Sequence, residues 1–207
     1  MVVADTEELC EAGFALRHEV YCRELGFEPV RADGLERDAY DDRARHYLLG
    51  HVASGAWAGC VRIVLADGSG ASLPFETALA PLLDGVDLSV AQRDSLGEIS
   101  RLTVARGFRQ TAGDHPPQLQ FHPHAVLGMA LVAVAATAEA GLASAVCMMK
   151  PRLEMQLRTY GIHFRQVSQI VEFRGTRALF QMSPHATCLE VHPELQGILG
   201  AIRSRIA

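Results

Sequence analysis

Glu98-Ile99-Ser100-Arg101-Leu102-Thr103-Val104 is the stretch on which the reading of this chain turns. Apolar and polar residues alternate along it as in a strand, where successive side chains point to opposite faces. Glu98 and Ser100 share one face. Arg101 falls on the other with Ile99, unless a bulge intervenes. Charges in so apolar a setting are costly to bury alone and need partners elsewhere in the chain.

Upstream, residues 46–53 and 58–66 read as two strands joined by a Ser-Gly turn, and Arg62 interrupts the second. Before them lies a polar loop, residues 28–45, too charged for core and too long for a simple turn. It contains Leu35-Glu36-Arg37-Asp38-Ala39-Tyr40-Asp41-Asp42, four carboxylates within seven residues. Such runs often lie in water, but ordered loops of this length are often functional. The chain opens with an amphipathic helix. Thr6 is its N-cap, Glu7 and Glu8 suit its positive end, Leu9, Ala12, Leu16 and Val20 form its apolar face, and Gly26 stops it. Arg17 sits within it.

Downstream, the pattern predicts a short helix over 75–83, a loop over 107–121 carrying Gly113 and Pro116-Pro117, and a helix over 123–140 stopped by Gly141. A strand over 145–149 follows, then a helix that opens at Pro151 and ends at Gly161. Strands over 163–167 and 170–182 turn at Arg174-Gly175, and His192-Pro193 leads into a last helix. The order describes a single α/β domain spanning 1–207, with a mixed sheet and helices on both faces.

Composition bounds the function. Of 207 residues, 49% are hydrophobic and 21% charged, the balance of a globular protein. A net charge of −5 and a pI near 6.0 argue against general affinity for nucleic acid. The N-terminus has no basic, apolar leader pattern, and the longest apolar stretch, residues 125–138, falls short of a membrane span. Five cysteines without a Cys-x-x-Cys pair suit free thiols in a reducing cytoplasm. His115, His122 and His124 match no zinc spacing, so no metal is expected. Gly-x-Ser-x-Gly, the nucleophile elbow of α/β-hydrolases, is absent.

Arg17, Glu36, Asp38, Asp41, Arg62, Phe75, Glu98 and Arg101 fall in an order and spacing that resemble those of acyl-homoserine-lactone synthases. Glu-x-Asp-x-x-Asp at 36–41 and Glu-Ile-Ser-Arg at 98–101 are the most specific parts. The chain is more similar still to a sister group, the acyltransferases associated with PEP-CTERM/exosortase systems. The segments 16–28, 73–76, 148–153 and 160–164 carry that likeness. N-acyl amino acid synthases are similar as well. The resemblance runs from about residue 5 to about residue 182.

It implies a GNAT-like α-β-α sandwich whose central strands splay into a V-shaped cleft. It also implies an acyl donor, either acyl carrier protein (acyl-ACP) or acyl-CoA, a small amine acceptor, and no tightly bound cofactor. Ordinary GNAT enzymes hold the coenzyme A pyrophosphate with a glycine-rich loop at a helix N-terminus. Aligned on Val104, the key positions here are Arg109, Ala112 and Asp114. A methyl and a carboxylate in that loop favour a carrier-protein donor. A tryptophan that the lactone synthases carry after the first helix is replaced by the Leu25 and Phe27 region, which weakens the case for S-adenosylmethionine as acceptor.

The resemblance further implies roles. Glu98 is the general base, with Arg101 holding it or binding an acceptor carboxylate. Asp38 and Asp41 orient the acceptor, while Arg17 and Arg62 brace the acidic loop that includes Glu36. Backbone N–H groups from Thr103 and Val104 to Arg106 receive the thioester oxygen. Arg109, Phe75, Met148, Met149 and Phe164 complete the donor site, and Arg101, Arg106, Arg109, Arg152 and Arg158 form a basic patch for the acidic carrier. An acyl-homoserine-lactone synthase using S-adenosylmethionine, and a non-catalytic acyl-binding or carrier-binding module on the same fold, are the rivals.

Overall fold

A computed structural model describes residues 1–66, 71–79, 93–109 and 122–207. Its centre is a mixed sheet with the strand order β1-β2-β3-β4-β5-β8-β6 and with β7 paired to β8. The strands are β1 (Val2–Val3), β2 (Ala44–Gly50), β3 (Trp57–Leu65), β4 (Leu96–Val104), β5 (Ser144–Met149), β6 (Arg165–Gln166), β7 (Val171–Glu172) and β8 (Thr176–Met182). The one parallel pairing among the described residues joins β4 to β5 and runs only from Leu96↔Ser144 to Ile99↔Cys147. Beyond Ile99 the two strands part while each keeps its outer neighbour, β3 for β4 and β8 for β5. The sheet therefore splits at its middle, and the V-shaped gap is where side chains from both faces can meet.

Alternation sorts the sheet residues onto two faces. Val61, Ile63, Ile99, Cys147, Met149 and Phe180 join the larger core beneath α3 (His122–Glu139). That helix is apolar nearly all round because it is packed by the sheet on one side and by α5 (Pro184–Glu190) and α6 (Pro193–Ile206) on the other. The opposite face carries α1 (Glu7–Arg17), whose Leu9, Ala12 and Leu16 pack with Leu48 and Cys60. Beside it lies a second small core of Val64, Leu73, Phe75, Leu96, Val146 and Leu179, reached by α2 (Pro74–Leu79). The architecture is thus an α-β-α sandwich around a split sheet, the arrangement the resemblance implies.

Thr6 caps α1, its hydroxyl accepting from the Leu9 N–H at 3.3 Å. The helix does not run evenly to its stop. From His18 to Glu24 it widens into a π-helical segment, with the Leu25 N–H donating to the Val20 carbonyl, a distortion frequent at functional sites. Gly141 and Gly161 close α3 and α4 (Pro151–Arg158) with φ of 71° and 76°.

Three details differ from the sequence reading. The strand expected over 163–167 shrinks to Arg165–Gln166, while 170–182 with its turn at Arg174-Gly175 forms the β7–β8 hairpin as expected. Helix α5 was not expected, since seven residues of mixed polarity give no helical period. β3 opens at Trp57, one residue before the strand expected over 58–66. The predicted helix over 75–83 is described as far as Leu79. Residues 110–121, with Ala112, Asp114 and His115, lie outside the described residues, so the pyrophosphate-loop reading does too. No helix among the described residues is long and apolar enough to cross a membrane.

Candidate active site

The acidic loop is tied to three arginines from three elements. Arg17, at the end of α1, is 1% exposed. Its Nε pairs with Glu36, and its two terminal nitrogens grip Asp41 at 2.8 and 3.1 Å. Arg62 of β3, also 1% exposed, donates to Asp38 at 2.6 Å, Asp41 at 2.8 Å and the Ser100 hydroxyl at 3.1 Å. Arg101 of β4 donates to Glu36 at 2.9 Å, Glu28 at 3.1 Å and Asp38 at 3.2 Å. Burial alone would raise the Asp41 carboxyl, but the hydrogen bonds and charge of Arg17, with Arg62 behind, hold it well below the usual range. Glu36 is likewise buried yet held low by Arg17 and Arg101. Both are locked anions.

Arg101 reaches this network because β4 bulges. The register runs Cys60↔Thr103 and then Arg62↔Ser100, so β4 holds one residue more than β3 over the same span. Arg101 takes up the surplus with a φ of 50°, an uncommon conformation for a non-glycine residue. The inserted residue turns Arg101 from the α3 face onto the face of Glu98 and Ser100. The π-helical segment sets Tyr21 over it, the guanidinium 5.6 Å from the ring centroid, and the Tyr21 hydroxyl donates to the Leu102 carbonyl at 3.0 Å.

Glu98 is a different kind of carboxylate. It is 4% exposed and accepts a hydrogen bond from the Phe75 N–H at 2.8 Å. Burial pushes its carboxyl up to about 8, and that N–H together with the nearby charges of Arg62 and Arg101 only partly offsets it. Nε and one terminal nitrogen of Arg101 go to Glu36, Glu28 and Asp38, and the hydrogen bond that reaches Glu98 comes from the Phe75 N–H of α2.

A cavity of about 590 Å³ runs through the split in the sheet. On the α3 face it is apolar, walled by Val126, Ala130, Ala133, Met149, Leu157 and Phe164. On the other face it is polar and aromatic, walled by Glu98, Ser100, Arg101, Asp38, Tyr40 and Phe75, with Phe173, Arg174 and Arg177 from the far hairpin. Among the sequence-derived residues, Glu98, Arg101, Asp38, Phe75, Thr103, Val104, Arg109, Met148, Met149 and Phe164 line it. Glu36, Asp41, Arg17 and Arg62 stand behind that lining as the ionic network. Arg106 lies exposed on a 3₁₀ turn outside it. Arg109 and Arg158 are paired with Glu24 and Glu154, so neither offers a free charge.

Sequence reasoning missed Tyr21, Phe27, Tyr40 and Ser100 as cavity residues, and Arg174 and Arg177 of the β7–β8 hairpin, whose Phe173 it offered as a lining residue. Tyr21 and Phe27 lay inside a quoted motif, and Ser100 inside another. Nothing local marks Arg174 or Arg177, which read as ordinary strand and turn residues.

Residues 16–115 match the family model described as an acetyltransferase (GNAT) domain. Comparison with curated proteins finds no match. Among solved structures, TofI, crystallised in a ternary complex with an inhibitor and MTA, aligns with a TM-score of 0.67 at 20% identity, covering 94% of this chain and 100% of that one. BjaI, a CoA-dependent acyl-homoserine lactone synthase solved with SAM and isopentyl-CoA, aligns at 0.65 and 18% identity over 97% and 84%. FeeM, an N-acyl amino acid synthase from uncultured soil microbes, aligns at 0.60 and 11% identity over 91% and 92%. The solved structures show that the chain has the GNAT fold, and residues 16–115 match an acetyltransferase domain of that fold.

Proposed function

We propose that the chain moves a fatty acyl group from an acyl carrier protein thioester to the amine of an amino acid or a similarly small acceptor, working in the cytoplasm. The observation that carries this reading is the cavity through the split between β4 and β5. Its apolar half suits an acyl tail, and its other half presents a buried carboxylate to an amine.

In this reading the tail lies along Val126, Ala130 and Ala133 of α3, and the thioester carbonyl sits in the split. The Leu102 carbonyl turns away from β3 to meet Tyr21. Strand alternation then turns the Val104 N–H to the same side, where it can donate to the developing oxyanion. The neutral amine attacks the carbonyl carbon. Glu98, ionised, takes the proton the amine sheds, directly or through a water. The tetrahedral intermediate collapses, the C–S bond breaks and the carrier thiol leaves with a proton. A carboxyl near 8 is partly ionised at neutral pH and basic enough for this task. Asp38 borders the acceptor, while Glu36, Asp41, Arg17 and Arg62 keep the loop in place.

The carrier-protein donor is supported by the sequence of the 109–114 loop and by exposed Arg106 and Arg152, which suit an acidic partner. Leu25 and Phe27, both lining the cavity where lactone synthases carry tryptophan, support an amino acid over S-adenosylmethionine. The 16–28 and 148–153 motifs support the PEP-CTERM/exosortase-associated branch.

The test is thiol release from long-chain acyl carrier protein with pooled amino acids and S-adenosylmethionine, products identified by mass spectrometry. An N-acyl amino acid that vanishes with Glu98→Gln is the expected result. A homoserine lactone product, or acyl-CoA as the only working donor, would replace the acceptor or donor named here. No transfer from either donor, with carrier binding intact, would make the chain a binding module.

A further inference from the structure

Tyr21 is held at both ends. Its own carbonyl accepts from the Phe27 and Glu28 N–H groups at 2.8 and 3.2 Å. Its ring stacks on Phe27, the planes 26° apart, and the Arg101 guanidinium lies 5.6 Å from the ring centroid. Its hydroxyl crosses to β4 and donates to the Leu102 carbonyl at 3.0 Å. Burial pushes the phenol up from its ordinary range, so the hydroxyl keeps its proton and its donor role at neutral pH. No charge of the acidic network depends on that bond, and the cavity wall needs only the ring. The hydroxyl is the part that packing leaves unexplained.

Backbone direction gives it a task. The Thr103 carbonyl faces β3, where a Cβ on Gly59 would lie 2.7 Å from it, and the Ala105 N–H donates to the Ala58 carbonyl at 2.9 Å. Successive residues of an antiparallel strand turn their backbone groups to alternate sides. Leu102 and Val104 therefore turn theirs away from β3 and into the split, where β5 has parted beyond Ile99. The Val104 N–H is a donor for a thioester oxygen there, and the Leu102 carbonyl stands beside it with the opposite polarity. Left bare, that carbonyl would repel the negative oxygen that forms on attack. Its peptide would also be free to swing, one residue after the φ of 50° at Arg101. The Thr103 hydroxyl fixes the Arg101 carbonyl at 3.1 Å. Tyr21 does the same for Leu102.

We propose that Tyr21 is a positioning residue for acyl transfer: its hydroxyl screens the Leu102 carbonyl and sets the peptide planes that aim the Val104 N–H at the developing oxyanion. It exchanges no proton with the substrates in this role. The inference rests on the acyl-transfer reading and adds to it a determinant of turnover, not of substrate choice.

Tyr21→Phe keeps the ring and removes only the hydroxyl. In acyl transfer from dodecanoyl-acyl carrier protein it lowers kcat about tenfold to a hundredfold, with KM unchanged for both substrates. Tyr21→4-aminophenylalanine, which restores a donor of similar reach, recovers most of the rate. A second assay needs no turnover: calorimetric binding of two dodecanoyl-pantetheine analogues. One is a trifluoromethyl ketone that hydrates to a tetrahedral form, and the other is a thioether with a methylene in place of the carbonyl. The parent prefers the ketone, and Tyr21→Phe loses about tenfold of that preference while binding the thioether equally well. That loss supports the assignment even if the parent transfers no acyl group, in which case the acyl-transfer reading alone fails. An unchanged kcat, a higher KM with kcat intact, a parent without ketone preference, or equal losses for the two analogues in Tyr21→Phe overturns it.

Discussion

Arg101 and Glu36, sixty-five positions apart in sequence, meet through two guanidinium nitrogens because a single extra residue in β4 turns Arg101 across the sheet. The same Glu36 closes on Arg17 from the other side. One carboxylate thus neutralises two buried or half-buried cations, and the acidic loop is fastened to the sheet and to α1 by the same atoms.

Glu36→Ala should therefore behave as a buried-charge deletion. It leaves Arg17, 1% exposed, with one carboxylate partner fewer, and removing one partner of such a pair costs about 3–5 kcal/mol. Urea denaturation should show that loss, while Glu19→Ala, which breaks an exposed pair with Arg23 at 3.7 Å, should change stability by less than ~1 kcal/mol. Equal losses would mean the network is ornamental.

Glu98 sets a pH dependence on rate. With the carboxyl near 8, the basic form grows as pH rises, so kcat/KM should climb with unit slope below about 8 and level above it. Glu98→Gln should lower kcat by about 100-fold to 10,000-fold, abolish that limb and leave donor affinity unchanged. A rate profile in Glu98→Gln that keeps the limb would assign it to the amine itself.

Stability should carry the opposite trend. The carboxyl ionises near 4.5 when unfolded and near 8 when folded. As pH rises from about 4.5 the unfolded chain releases this proton first, so folding weakens, by up to ~1.4 kcal/mol per pH unit, until about 8. The difference in stability between the parent chain and Glu98→Gln isolates that slope from other titrating groups. A flat difference across this window would show that Glu98 is better solvated than its surroundings imply.

Much of this was readable from the chain. The strands around Arg62 and Glu98, the capped first helix and the long apolar helix all announce themselves by period. The sequence also poses the question that the fold answers: Arg101 sits on the wrong face unless β4 bulges. Pairing partners are another matter. Which carboxylate meets which arginine depends on how the loop folds back, and no local rule fixes that. Arg174 and Arg177 were illegible because the hairpin that carries them meets β4 only across the split, a relation set by topology. The two-residue β1 and the short α5 are too brief to leave a pattern.

The apolar half of the cavity should set chain length. Ala130 and Ala133 of α3 face it and are nearly fully buried. Ala130→Phe would fill the tail's path and shift activity to shorter donors. Each displaced methylene should cost about 10–200-fold in kcat/KM. A donor series assayed at fixed acceptor reads this directly, and an unchanged profile would move the tail elsewhere.

Two glycines separate backbone strain from crowding. Gly161, which ends α4, has a φ of 76°, and a Cβ there would lie 2.1 Å from the Glu190 carbonyl oxygen at the end of α5. Gly175, in the β7–β8 turn, has a φ of 90° and nothing within 4 Å of an added Cβ. Alanine at either site forces a side chain into the left-handed region at a cost of about 1–3 kcal/mol. Only at Gly161 must a backbone carbonyl also move, together with the His192 N–H bond to the Tyr160 carbonyl that ties the two segments at 2.9 Å. Gly161→Ala should consequently melt lower than Gly175→Ala by several degrees, since 1 kcal/mol shifts Tm by about 2–4 °C in a chain of this size. Equal melting temperatures would mean that α5 yields freely and contributes little to holding the α4 end.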